Sequence, residues 1–237
     1  MAWTLVTGGA KRLGAEICRT LAKEGYPILV HYRSSKDEAD TVVKDCCRLG
    51  VQAEAIQGDF SSPKATGEFI QEANSRYPDI QNLVNNVGNF FVKSALETPE
   101  EVWLELFQTN FHAPRTLSQA FVSSIVEHQG SIVSIGTVGV GAIKADTKCP
   151  AYTISKTALL LLTKSLAREL AGSRVRVNMV SPGELENSMT LSENLSKLPM
   201  GRAGTLEEVA RVVAYLLDKK SEYITGQNIE VSGGFGL

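Results

Sequence analysis

At 237 residues and 25.6 kDa, the chain can bury a large core and falls in the range of one large α/β domain spanning residues 1–237. Its 24 basic and 26 acidic side chains leave a net charge of −2, which gives no global attraction to nucleic acid or to an anionic membrane, so any anion must be bound locally. Cys18, Cys46, Cys47 and Cys149 form no Cys-x2-Cys pair and no zinc spacing with the three histidines, so reduced structural thiols and no metal site are expected.

Strand-like residues begin at Trp3, with no charged segment and apolar run ahead of them to make a signal peptide. The strand candidates in order are Trp3 to Val6, Pro27 to His31, Val51 to Ile56, Asn82 to Asn85, Ser131 to Ile135, Arg174 to Val180 and Asn228 to Val231. Helical patterns lie between them: Arg12 to Glu24, Lys36 to Leu49, Pro63 to Tyr77, Pro99 to Val126 with a break near Asn110 to Pro114, Ala151 to Ala171, and Leu206 to Leu217. This rhythm of βαβ units predicts one doubly wound parallel sheet of about seven strands with helices on both faces. Ligand should then collect at the carboxyl ends of the strands, near the topological switch point. The least regular stretch, Pro182 to Gly204, suits a loop or short insert over a site, with 184–198 as a candidate lid. The apolar run Ala158 to Leu162 is far too short to span a bilayer, so a soluble, cytoplasmic protein is expected.

The first strand ends in Val6-Thr7-Gly8, and Gly14 falls just inside the next helix. Glycines here permit a tight turn and close backbone approach, placing a diphosphate at the positive end of the helix dipole. About 20 residues further on, an acid would grip a ribose 2′-hydroxyl and a base would accommodate a 2′-phosphate. The stretch His31-Tyr32-Arg33-Ser34-Ser35-Lys36 has no acid before Asp37. Lys11, Arg12, Arg33, Ser34 and Ser35 could together surround a dianion, which favours NADP(H) over NAD(H). Tyr152 and Lys156 share one face of a helix, so an ammonium can lie beside a phenol and favour its ionised form.

With the glycine turn, Tyr152 and Lys156 stand Asp59, Asn85-Asn86-Val87-Gly88, Asn110, Ser181-Pro182-Gly183 and Ile224-Thr225-Gly226-Gln227, in that order. Over essentially its whole length the chain thereby resembles the short-chain dehydrogenase/reductase family, which implies a Rossmann-like fold. The resemblance implies that Asp59 contacts adenine, Asn85 and Gly88 line a ribose, and Pro182 and Gly183 border the nicotinamide. It also extends the expected cofactor-binding set to Gly8, Leu13, Gly14, Phe60 and Asn86. Asn110 resembles the residue that kinks a helix and holds a proton-relay water near the lysine.

By the same resemblance Tyr152 is the general acid in reduction, with its pKa lowered by Lys156, which also holds the ribose hydroxyls. Relatives commonly place a serine after the fifth strand to polarise the carbonyl; here Thr137 stands there, with Ser134 as the fallback donor. The spacing from Thr137 to Tyr152 is about two residues longer than usual. Lys11-Arg12-Leu13-Gly14, His31-Tyr32 and Phe90 resemble pteridine reductases, in which Phe90 would stack a pterin. The leading substrate is a 3-oxoacyl thioester or related ketone, which Phe90, Thr137 and Tyr152 would meet; a pterin C=N bond is the alternative, and an idle NADP-binding sensor a third reading. The apolar Ala158–Leu162 stretch suggests a helix buried on more than one side, and relatives pack such helices into a homotetramer or homodimer.

Overall fold

The computed structural model describes residues 2–188, 191 and 195–236. Seven strands, β1 (Trp3–Val6), β2 (Ile28–Tyr32), β3 (Ala53–Gln57), β4 (Ile80–Asn85), β5 (Ser131–Ile135), β6 (Arg176–Pro182) and β7 (Asn228–Val231), form one sheet in the order β3-β2-β1-β4-β5-β6-β7. Every pairing is parallel. The strand order reverses between β1 and β4, so the crevice expected of a doubly wound sheet opens above their carboxyl ends.

Successive strand residues point to opposite faces, and each face has its own core. Val6, Val30, Val84 and Val133 pack with Ile17 and Leu21 of α1 (Arg12–Lys23), Val42 of α2 (Lys36–Arg48) and Val209 and Val213 of α7 (Leu206–Leu217). Their neighbours Leu5, Leu29, Leu83 and Ile132 pack with Phe69 of α3 (Pro63–Arg76), Phe121 of α5 (Ala113–Glu127) and Ala167 of α6 (Pro150–Leu170). Unbroken apolar strands are what a sheet covered on both faces requires.

Local chemistry sets the helix ends. Ser62 accepts from the N–H of Ala65 and is followed by Pro63, which starts α3. Thr205 and Glu208 form a capping box at the start of α7. The last carbonyls of α7, Leu216 and Leu217, accept from the guanidinium of buried Arg176 on β6. Several boundaries shift by one or two residues from the sequence reading: β6 starts at Arg176 because Arg174 turns through a left-handed φ of +58°, β3 starts two residues later and β4 two residues earlier than expected, and β2 and most helix ends move by one.

The expected break near Asn110 to Pro114 is not an interruption. Helix α4 (Glu100–Phe107) continues through a wide π-turn, Gln108–His112, directly into α5. Pro114 has no N–H to offer the carbonyl four residues back, that of Asn110, and the widened turn accommodates this loss. In the irregular stretch, Leu185 bridges to Gly204 in parallel, and Leu195–Lys197 makes one short turn. The candidate lid at 184–198 lies partly outside the described residues.

Candidate active site

The β1–α1 turn is shaped for an anion. Gly8 adopts φ +63° and Arg12 φ +50°, the left-handed conformation that the glycine-poor turn demanded of a side-chain-bearing residue. Lys11 precedes α1 without a side-chain cap, and the first turn carries no acid, so its N–H groups remain available to a phosphate oxygen. A Cβ on Gly14 would stand 2.1 Å from the Gly8 carbonyl oxygen, so only glycine allows this approach. Asn86 fastens the turn from β4: its Nδ2 donates to the carbonyls of Thr7 at 2.9 Å and Gly8 at 3.3 Å. These features fit a dinucleotide diphosphate.

Beyond the turn, a cavity of about 120 Å³ is lined by Gly8, His31, Arg33, Asp59, Phe60 and Val87, among others. Asp59 accepts from the backbone and hydroxyl of Ser61. Partial burial alone would raise its pKa, but these bonds and the Arg33 charge hold it below the ordinary carboxylate value. Arg33 and Ser34 are exposed at the end of β2, and the Ser35 side chain makes no cap bond to α2. The cationic cluster is less open than the sequence suggested, because Lys11 pairs with Glu38 of α2 at 2.7 Å and Lys36 with Asp40 at 2.6 Å. An acid therefore does reach the turn, delivered by the first turn of α2 and not by the strand end.

Both atoms of the Asn85 carboxamide are buried without a hydrogen-bond partner within the chain. Gly88 is open, and a Cβ there would stand 3.0 Å from Lys156 Nζ and 3.3 Å from Asn110 Oδ1. Glycine therefore keeps the lysine approachable. At the end of β6, Pro182 and Gly183 close the sheet side of the crevice, with the Gly183 N–H donating to Val231.

On the far side of the crevice, α6 presents Tyr152 and Lys156. Thr137, just past β5, lies near enough to the Tyr152 hydroxyl to act against the rise in its pKa, and the Phe90 ring meets the Tyr152 ring edge-on at 4.7 Å. Ser134 lies buried within β5, as its strand position implied. Asn110, fully buried in the π-turn, accepts from Asn89 N–H at 2.8 Å and donates to the carbonyl of Asn89 and to Ser155 Oγ, both at 3.0 Å. Ser155 Oγ in turn donates to the Tyr152 carbonyl at 2.7 Å, tying the turn to the helix that carries the phenol.

The expected acidic phenol is not found. Burial pushes Tyr152 up to about 12, against the lowering effect of the Thr137 hydrogen bond. Lys156 Nζ lies 5.9 Å from the centre of the phenol ring and donates instead to the Ile135 carbonyl at 2.8 Å. Burial also pushes Lys156 down to about 8. The ammonium is thus aimed along the crevice floor, towards Gly88, more than at the phenol.

The longer β5–α6 connection has its own anchor, which spacing alone did not reveal. Asp146 Oδ1 accepts from the N–H groups of Lys148 at 2.8 Å and Cys149 at 3.1 Å, and Oδ2 accepts from Thr153 Oγ1 and Cys149 Sγ. Partial burial would raise Asp146, but these bonds dominate and hold it at about 2. Cys149 is conversely raised to about 11 by burial and the neighbouring carboxylate, consistent with an unreactive thiol. All four cysteines are free, and among the described residues no metal-binding cluster occurs. Among the same residues no helix is long and apolar enough to cross a membrane.

If Thr137 shares the task of holding a developing oxyanion, Thr137→Ser should keep most of the turnover and Thr137→Ala should lose about 10²-fold in kcat. Steady-state kinetics of the two variants decide this, and an unchanged Thr137→Ala enzyme removes the residue from the mechanism.

The comparisons agree with this geometry. The sequence family described as enoyl-(acyl carrier protein) reductase matches residues 8–236. A 3-oxoacyl-[acyl-carrier-protein] reductase of Staphylococcus epidermidis is 34% identical over 238 residues, 97% of each chain. A short-chain dehydrogenase/reductase of Serratia marcescens superposes with a TM-score of 0.91 at 30% identity, covering 100% of this chain and 98% of that one. A blue fluorescent protein from a metagenomic library, solved with NADPH, gives the same TM-score, identity and coverage. The chain belongs to the short-chain dehydrogenase/reductase family of nicotinamide-dependent oxidoreductases.

Proposed function

We propose that the protein is an NADPH-dependent reductase of a ketone carbonyl, with a 3-oxoacyl thioester as the leading substrate. The observation that carries this reading is the placement of Thr137, just past the carboxyl end of β5, beside Tyr152 of α6, whose ring Phe90 meets edge-on. Two neutral hydroxyls converging on one point suit a carbonyl oxygen that gains charge, one holding it and the other protonating it. A bound nicotinamide would supply the hydride. Lys156 would hold ribose hydroxyls beside Gly88, and the Asn110–Ser155 link keeps the helix bearing both groups in register. The printed activity of the Staphylococcus relative supports the thioester.

The NADP(H) preference is supported by the exposed Arg33 and Ser34 and the half-buried Ser35 after β2, and by the NADPH complex of the metagenomic neighbour. A pterin C=N bond is the second reading, favoured by the Phe90 ring set against Tyr152 where a flat heterocycle would enter. Loss of NADPH absorbance with a 3-oxoacyl thioester, a diketone and dihydrobiopterin separates the readings. The thioester should turn over fastest, and NADH should support less activity than NADPH. Turnover of dihydrobiopterin alone would move the assignment to the second reading, and oxidation with none of them would favour the sensor.

We further infer one catalytic domain working in a homotetramer or homodimer in the cytoplasm. Leu104 of α4 and Ile154 and Leu161 of α6 are 64%, 49% and 62% exposed, an apolar face suited to a second copy, and four free thiols suit a reducing compartment. A monomeric mass by light scattering contradicts the assembly.

The pH dependence has a definite sign. Lys156 is a cation below about 8 and Tyr152 keeps its proton up to about 12, so reductive kcat/KM should fall as pH rises through about 8. Stability moves the other way. The folded state binds the lysine proton less tightly than the unfolded chain does, so the fold gains stability as pH rises from about 8 toward the unfolded value. A rate profile flat through pH 8, or stability falling across that interval, contradicts the assignment.

A further inference from the structure

His31 ends up in a position that neither the glycine turn nor the β2 pattern announced. It is 2% exposed, at the carboxyl end of β2, between the two loops that border the cavity beyond the phosphate turn. The Gly8 N–H donates to His31 Nδ1 at 2.9 Å, and His31 Nε2 lies 3.2 Å from the Gly58 carbonyl. A backbone N–H can only donate and a carbonyl can only accept, so the partners dictate the ring's state: Nδ1 bears the lone pair and Nε2 the proton. Burial, which pushes the imidazole down to about 4 against the Gly58 bond and the Asp59 charge, keeps it in that neutral form at physiological pH. The ring is clamped flat against Phe60 at 4.3 Å and edge-on to Phe69 at 5.1 Å. Charged groups near it are Asp59 and Arg33, which line the same cavity.

We infer that His31 is a positioning residue for cofactor binding, in which one neutral imidazole fastens the left-handed Gly8 of the β1–α1 turn to the Gly58–Phe60 wall and so fixes the two halves of the adenosine-diphosphate cradle relative to each other. The inference rests on the nicotinamide-cofactor reading. It adds that the Gly8 N–H is committed to the protein and not to a phosphate oxygen, so the diphosphate depends on the uncapped first turn of α1. Asn86 holds the Gly8 carbonyl from the opposite side, so the turn is braced at both its donor and its acceptor.

The variants His31→Phe, His31→Asn and His31→Gln separate this role from simple packing. Phenylalanine keeps the ring but leaves both backbone groups unpaired. Asparagine puts Oδ1 where Nδ1 stood and can still accept from Gly8, whereas glutamine extends its amide toward Gly58 and leaves the turn free. Calorimetric titration with NADP⁺ should show affinity about tenfold or more weaker for His31→Phe and His31→Gln, largely restored in His31→Asn. In kinetics KM for NADPH should rise by a similar factor, with kcat at saturation within about twofold. A packing defect would instead lower the active fraction and leave KM alone. If His31→Phe does not fold, the asparagine and glutamine variants decide by themselves. Wild-type affinity in His31→Phe, or rescue by glutamine and not by asparagine, overturns the role of His31 while leaving the cofactor reading intact. Failure of the wild type to bind NADP⁺ or NAD⁺ overturns that reading and the inference together.

Discussion

Replacing Tyr152 with phenylalanine should lower kcat for reduction by about 10²–10⁴-fold, the usual contribution of a positioned proton donor. The substitution deletes one oxygen atom and little else. The ring keeps its edge-on contact with Phe90, and residue 152 stays on α6, whose register is set by the Asn110–Ser155 and Ser155–Tyr152 bonds. Cofactor affinity and melting temperature should therefore stay close to those of the wild type. The hydroxyl and Thr137 lie close enough to influence each other, so a double variant with Thr137→Ala should cost less than the sum of the two single losses. Retention of kcat within about tenfold in Tyr152→Phe would mean that the proton comes from elsewhere.

Gly14→Ala should be the most damaging small change in the β1–α1 turn. The added methyl would stand 2.1 Å from the Gly8 carbonyl oxygen and 2.7 Å from Asn86 Nδ2. The first of these is backbone, and the strand that leads into it, β1, is locked into the sheet on both sides by β2 and β4. Relief must come from moving α1, which packs on α2 and α7. A cost of about 3 kcal/mol in urea unfolding is expected, at the upper end of overpacking penalties. Cofactor affinity should fall by at least about tenfold, since the displaced helix carries the N–H groups aimed at the phosphates. Gly67→Ala is the control. Its Cβ meets nothing within 4 Å in the middle of α3, so it should leave affinity unchanged and stabilise by up to about 1 kcal/mol. Equal behaviour of the two variants would refute the close-approach account.

The order and type of the elements were legible because short apolar, β-branched runs alternate with longer helical periods. The ends of β1, β5, β7 and α7 coincide with the sequence reading. The nearness of Thr137 to Tyr152 was expected from the family resemblance, which places a hydroxyl after the fifth strand. Other features arise from contacts that no local pattern encodes. Glu38 reaches Lys11 because α2 swings its first turn over the β1–α1 loop, and Asn85 is left with an unpartnered buried amide while Asn86, one residue on, reaches the turn. The phenol's raised pKa was missed because helical spacing puts Lys156 on the same face as Tyr152 but does not say where Nζ points. The backbone carbonyl of Ile135 decided that.

Asp146 has a consequence for how this enzyme can diverge. One carboxylate gathers the two backbone N–H groups just ahead of α6 and the hydroxyl of the residue following the phenol. Upstream of it, positions 141–145 are all exposed. Insertions and exchanges can accumulate there without being transmitted to Tyr152. Selection can thus rework this loop while the helix that follows it stays fixed.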